Sequence, residues 1–126
     1  IWDGFRKASK TPPASGGKLD TLINRVKTAT DKIKARGGTV LFVRTPSSGP
    51  MLMGEGMGFP RDKYWNRILQ ATGCPGIHFA DYEAIRHFEC PENSHLSLSD
   101  ATLFTKELIR ILTTEQGWKF STPKSL

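Results

Sequence analysis

The spacing of apolar positions changes several times along the chain, and each change marks an element. From Lys18 onward, Leu19, Leu22, Ile23, Val26, Ala29 and Ile33 fall at the i, i+3, i+4, i+7 spacing of an amphipathic helix. Gly37-Gly38 supplies its stop after Arg36. Thr39-Val40-Leu41-Phe42-Val43-Arg44 is then an unbroken β-branched and aromatic run, too short for a helix. It predicts a strand buried on both faces, as parallel strands are. Thr45-Pro46-Ser47-Ser48-Gly49-Pro50 ends it, and the Gly- and Met-rich stretch Met51 to Gly58 reads as a long loop. Helical spacing returns after Phe59-Pro60, with Trp65, Ile68 and Leu69 on one face up to about Thr72, and Pro60 suits a first turn. Gly73-Cys74-Pro75-Gly76 breaks the chain before a short strand, Ile77-His78-Phe79. Asp81 to Arg86 reads as a helical turn and His87 to His95 as a loop. Ser97, with Asp100 three residues on, starts a last helix that runs to about Thr113 and buries Ala101, Phe104, Leu108, Ile111 and Leu112.

Helix, strand, helix, strand, helix is the alternation of an α/β layer fold with parallel strands and right-handed crossovers. Two strands alone leave both sheet edges open and cannot cover the helices. The pattern therefore predicts half of a doubly wound domain, completed by another chain or by part of this protein outside the sequence. Residues 1–17 form a stub with Trp2 and Phe5, then a Pro/Gly/Ser linker. Residues 114–126 form a tail whose anchors are Trp118 and Phe120.

Composition refines this picture. At 126 residues, 37% apolar and 24% charged, the chain is globular and long enough for one ordinary domain. It lacks an initiator Met, as a processed chain or a fragment would. The net charge of +6 raises a nucleic-acid reading, and Arg25, Lys32 and Arg36 share one side of the first helix. No aromatic residue lies between Phe5 and Phe42 to stack on bases, so a solvated helix face is expected and no nucleic-acid partner. The apolar runs fall well short of the ~20 residues a membrane-spanning helix needs. Two cysteines allow one bridge, Cys74 to Cys90, which would favour a periplasmic or secreted location; unpaired, they are ordinary thiols. Cys74, His78, His87, Cys90 and His95 match no familiar zinc spacing, and neither a metal nor a cofactor is expected.

The candidate chemistry lies in Pro91-Glu92-Asn93-Ser94-His95-Leu96-Ser97, a loop directly before the last helix. In an open α/β sheet, ligands sit at the carboxyl ends of the strands, where such a loop can hang a histidine. Imidazole accepts and returns a proton near neutral pH, and a nearby carboxylate can fix its tautomer. Glu92-x-x-His95-Leu96-Ser97, with the helix carrying Ala101, Leu103-Phe104 and Leu108, resembles the C-terminal catalytic block of the SGNH/GDSL-type hydrolase superfamily. Glu92 stands where that block usually has Asp. Val40 to Pro46 is similar to the family's penultimate core strand, and Ile77 to Asp81 to its last one.

The resemblance spans roughly Lys18 to Leu112. It implies the C-terminal half (residues 18–113) of a flavodoxin-like, three-layer α/β/α domain with a parallel sheet. It further implies His95 as general base, Glu92 as its orienting acid, and an ester or acylated small-molecule or glycan substrate. No Gly-Asp-Ser nucleophile block is present, so the N-terminal half and its serine are expected outside this chain, which alone is then inactive. Ser47 and Ser48 follow a strand but lack the G-x-S-x-G elbow, and read as turn formers. The alternatives are an SGNH-like binding module without activity and, further off, a basic nucleic-acid-binding domain.

Overall fold

The computed structural model describes residues 11–121, so the stub with Trp2 and Phe5 and residues 122–126 lie outside the described part. Helix α1 (Gly16–Ala35) leads through Gly37, which takes the left-handed conformation, to strand β1 (Phe42–Arg44). Helices α2 (Gly49–Gly58) and α3 (Trp65–Thr72) connect β1 to strand β2 (Gly76–His78). A 3-10 turn (Phe79–Asp81), the short helix α4 (Glu83–Arg86) and the long helix α5 (Leu98–Glu115) complete the order. The strands pair in parallel, with Phe42 opposite Gly76, Val43 opposite Ile77 and Arg44 opposite His78. This is an α/β fold on a short two-stranded sheet.

Alternation along the strands sends Gly76 and His78 to one face and Ile77 to the other. Helix α3 covers the first face closely. A Cβ at Gly76 would lie 2.7 Å from the Leu69 methyls and 2.8 Å from the Trp65 ring, so any larger residue there would push these side chains aside. Trp65 also meets the His78 ring edge-on, with centroids 5.4 Å apart. Helix α1 lies alongside α3, tied by an Asp20–Arg67 ion pair and by Lys34, whose Nζ donates to the Thr72 carbonyl at 2.6 Å. The partners' numbers rise together, so the two helices run parallel.

On the opposite face Ile77 enters the core with Phe79, Ile85, Phe88, Phe104, Ile111 and Leu112. Ile77, Ile85 and Ile111 are fully buried, each contributing roughly 1.5–3 kcal/mol by removal from water. Ser97 caps α5 by accepting the Asp100 N–H at 3.1 Å, as its position predicts. Beyond α5, Gly117 in the left-handed region turns the chain, and the Trp118 N–H donates to the Leu112 carbonyl. Trp118 packs against the core, whereas Phe120 stays exposed.

Three expectations change, and the open choice for the cysteines is decided. The first strand is three residues long and half-buried, because β2 offers only Gly76–His78 to pair with. Met51 to Gly58 is not a loop but most of α2. Its glycines oppose a helix by about 1 kcal/mol each, and Glu55 ties it back to Arg44 and Ser47. Pro60 does not open α3 at once: Pro60 to Tyr64 turn first, with Arg61 drawn into a two-pronged pair with Asp81 at 2.7 Å. Cys74 and Cys90 are free, buried thiols, so a bridge offers no argument for an oxidising compartment. No helix of the described residues is long and apolar enough to cross a membrane.

Candidate functional site

The Glu92–His95 segment is held by the loop at the carboxyl end of β1. The Ser48 N–H donates to the Asn93 carbonyl at 3.0 Å, and the Cys90 N–H donates to the Ser48 hydroxyl at 2.8 Å. The Cys90 thiol completes the seam on the Pro46 carbonyl at 3.4 Å. Burial pushes that thiol's pKa up, with the Ser48 hydrogen bond acting the other way, so Cys90 stays protonated near neutral pH. The two loops approach closely. Gly49 has φ +53°, and a Cβ there would stand 2.5 Å from the Asn93 side-chain oxygen. Asn93 itself adopts φ 75°, a left-handed turn that Asn tolerates better than most residues.

That turn folds Glu92 back onto the residues that follow it. Its Oε1 accepts the His95 backbone N–H at 2.6 Å and lies 2.7 Å from His95 Nδ1. The Ser94 hydroxyl sits 2.9 Å from both carboxylate oxygens and 2.8 Å from Nδ1. The Ser94 hydrogen bond, and then those from His95, hold the Glu92 carboxyl below its usual range. An ionised carboxylate only accepts, so the contact places a proton on Nδ1, and a ring bearing that proton alone leaves Nε2 as the acceptor. Among the described residues every hydrogen bond of this ring runs through Nδ1, and the side chain is 83% exposed. The two residues singled out by the E-x-x-H spacing thus meet, and the longer Glu still reaches the ring. Ser94, like Asn66 and Asn93, has no motif support in the sequence. The only signal for it is a hydroxyl one residue before the histidine.

A second cluster lies on the same β1 loop. Ser47 is 4% exposed, and its hydroxyl donates to Glu55 Oε2 at 2.8 Å while accepting from Arg44 at 2.9 Å. Arg44 also pairs with Glu55 and stands 5.7 Å from the centre of the Phe79 ring. Ser47 is therefore a tie between β1 and α2, and Ser48 a tie between two loops. Both roles are more specific than the turn formation their sequence predicts. His78, at the end of β2, accepts the Ala80 N–H on Nδ1. Burial, then the positive charge of Arg61, lowers its pKa and keeps it neutral near pH 7.

Cys74, His78, His87, Cys90 and His95 are not gathered: no group of three or more His, Cys, Asp or Glu among the described residues could hold a metal. An open depression of about 720 Å³ is lined by Asp81, Tyr82, Glu83, Ala84, Arg110 and Glu115, and includes neither Glu92 nor His95. No protein-family model, curated protein or solved structure matches the chain.

Proposed function

We propose that this chain supplies the histidine and acid of an SGNH-type serine hydrolase acting on an acyl or acetyl ester of a small molecule or glycan. In this reading the chain belongs to a larger flavodoxin-like α/β/α domain, and the nucleophilic serine lies outside the described residues. His95 Nε2 takes the serine proton as the serine oxygen attacks the ester carbonyl. It then returns that proton to the departing alkoxide, and the acyl-enzyme is released by water or by an acceptor hydroxyl. Glu92 keeps the proton on Nδ1 and stabilises the imidazolium formed in between. One observation carries the reading: Glu92 Oε1 lies 2.7 Å from Nδ1 while the ring's other edge is exposed.

The test uses the complete protein. Labelling by a fluorophosphonate probe, together with p-nitrophenyl acetate turnover that His95→Ala lowers about a thousand-fold, supports the assignment. The exposed position of His95 leaves folding intact in that variant. Labelling with unchanged turnover in His95→Ala removes the assignment. Absence of labelling favours a binding module that keeps the fold without the reaction.

A further inference from the structure

In the parallel register Arg44 of β1 stands opposite His78 of β2, and each is the last residue of its strand. That is the carboxyl end of the sheet, where open α/β sheets hold their ligands. The half-buried His78 ring is fixed from three sides. Trp65 meets it edge-on, the Phe79 ring lies nearly parallel to it with centroids 5.2 Å apart, and the Ala80 N–H donates to Nδ1 at 3.2 Å. A neutral ring that accepts on Nδ1 carries its proton on Nε2. Among the described residues no group bonds to Nε2, and no buried side-chain nitrogen or oxygen is left without a partner, so this N–H is open to solvent. His78 thus presents a donor of fixed direction, where His95 presents an acceptor.

The charges around the ring say which acceptor suits that donor. Arg61 is held by Asp81 in a two-pronged pair at 2.7 Å, and Arg44 is paired with Glu55. Each pair is neutral as a whole, yet the ring lies on its positive side: Arg61 acts on His78 more strongly than Asp81 does, and Arg44 more strongly than Glu55. Asp81 takes two N–H groups of the Arg61 fork and leaves the others over. A donor in a positive, partly desolvated setting favours an acceptor that carries negative charge. We propose that the His78 Nε2–H and the remaining Arg61 N–H groups, backed by the charge of Arg44, bind a small oxyanion, a carboxylate or a phosphate group, at the carboxyl end of the sheet. This site shares no residue with the Glu92–His95 pair, and it holds whether or not the chain belongs to a hydrolase.

Nitrogen-15 NMR of the His78 ring in the complete protein tests it. The probes are inorganic phosphate in one arm and acetate in the other, at neutral pH, with sodium chloride keeping the ionic strength constant. The expected result is a saturable shift of the Nε2 resonance at millimolar concentrations in at least one arm, and the arm that saturates first gives the class of ligand. The affinity should fall about ten-fold in Arg61→Gln, which keeps an amide donor toward Asp81 but loses the charge. The Arg61–Asp81 pair is exposed, so that variant keeps the fold. A shift that stays linear up to about 100 mM in both arms is screening alone and overturns the proposal. Saturation seen only at other resonances, with Nε2 unmoved, overturns it too, as does an affinity unchanged in Arg61→Gln.

Discussion

Two clusters on neighbouring loops use the same parts to different ends. In each, a serine hydroxyl meets a glutamate carboxylate beside a basic side chain: Ser47, Glu55 and Arg44 in one, Ser94, Glu92 and His95 in the other. The first is closed. Its serine is buried, and its cation carries a permanent charge that can neither accept nor give up a proton near neutral pH. The second is open: its basic side chain is an imidazole, whose nitrogen not bearing a proton can accept one, on an exposed residue. The difference separates a clamp from a candidate reagent. A serine beside a carboxylate is no sign of chemistry by itself; what counts is whether a proton-accepting atom is left over.

Glu92→Gln should open the contrast most. The amide can present its NH2 to Nδ1 and favour the wrong tautomer, so ester turnover by the complete protein should drop about a hundred-fold. The melting temperature should barely move, because the Glu92–His95 pair is exposed and such pairs add little to stability. Glu55→Ala should behave in the opposite way. It leaves the buried Ser47 hydroxyl without its acceptor and the Arg44 guanidinium without its carboxylate partner, at a cost of about 1–2 kcal/mol in denaturant unfolding. Turnover in that variant should stay near the wild-type value. If the two variants exchange these effects, the assignment of clamp and reagent is reversed.

The smallest effect concerns His78, which belongs to neither cluster. Its folded pKa is lowered by burial and then by Arg61, so below the ordinary histidine value of about 6.5 the unfolded chain binds the proton more readily. Stability contributed by neutral His78 is present above that value and is lost as pH falls through the folded one. Unfolding midpoints measured from pH 7.5 down to 5 should fall, and His78→Gln should flatten that slope. An unchanged slope in the variant would assign the acid sensitivity elsewhere.

Much of this was legible in local signals. Helix α1 follows its apolar spacing to within two residues, and α5 begins where Ser97 and Asp100 announce a cap. The E-x-x-H spacing brought Glu92 to His95 because a four-residue turn, with Asn93 in the left-handed region, places those side chains together. What escaped depends on partners distant in sequence. Helix α2, with Gly54, Gly56 and Gly58, lacks helical propensity and is tied down by the Arg44–Ser47–Glu55 contacts across the β1 loop. The length of β1 depends on how much strand β2 presents, which no property of the Val40 to Arg44 run encodes. The seam from Ser48 to Cys90 and Asn93 joins residues some forty positions apart, and Gly49 was its only trace in the sequence.

The account turns on which nitrogen of His95 bears the proton. Nitrogen-15 NMR of the imidazole, recorded at alkaline pH, reads this directly. A proton on Nδ1, with Nε2 showing the shift of an unprotonated nitrogen and the preference weakening in Glu92→Gln, is the result predicted by the 2.7 Å contact. A ring protonated on Nε2 and indifferent to Glu92→Gln would contradict it, leaving His95 no proton-accepting nitrogen on the edge away from Glu92.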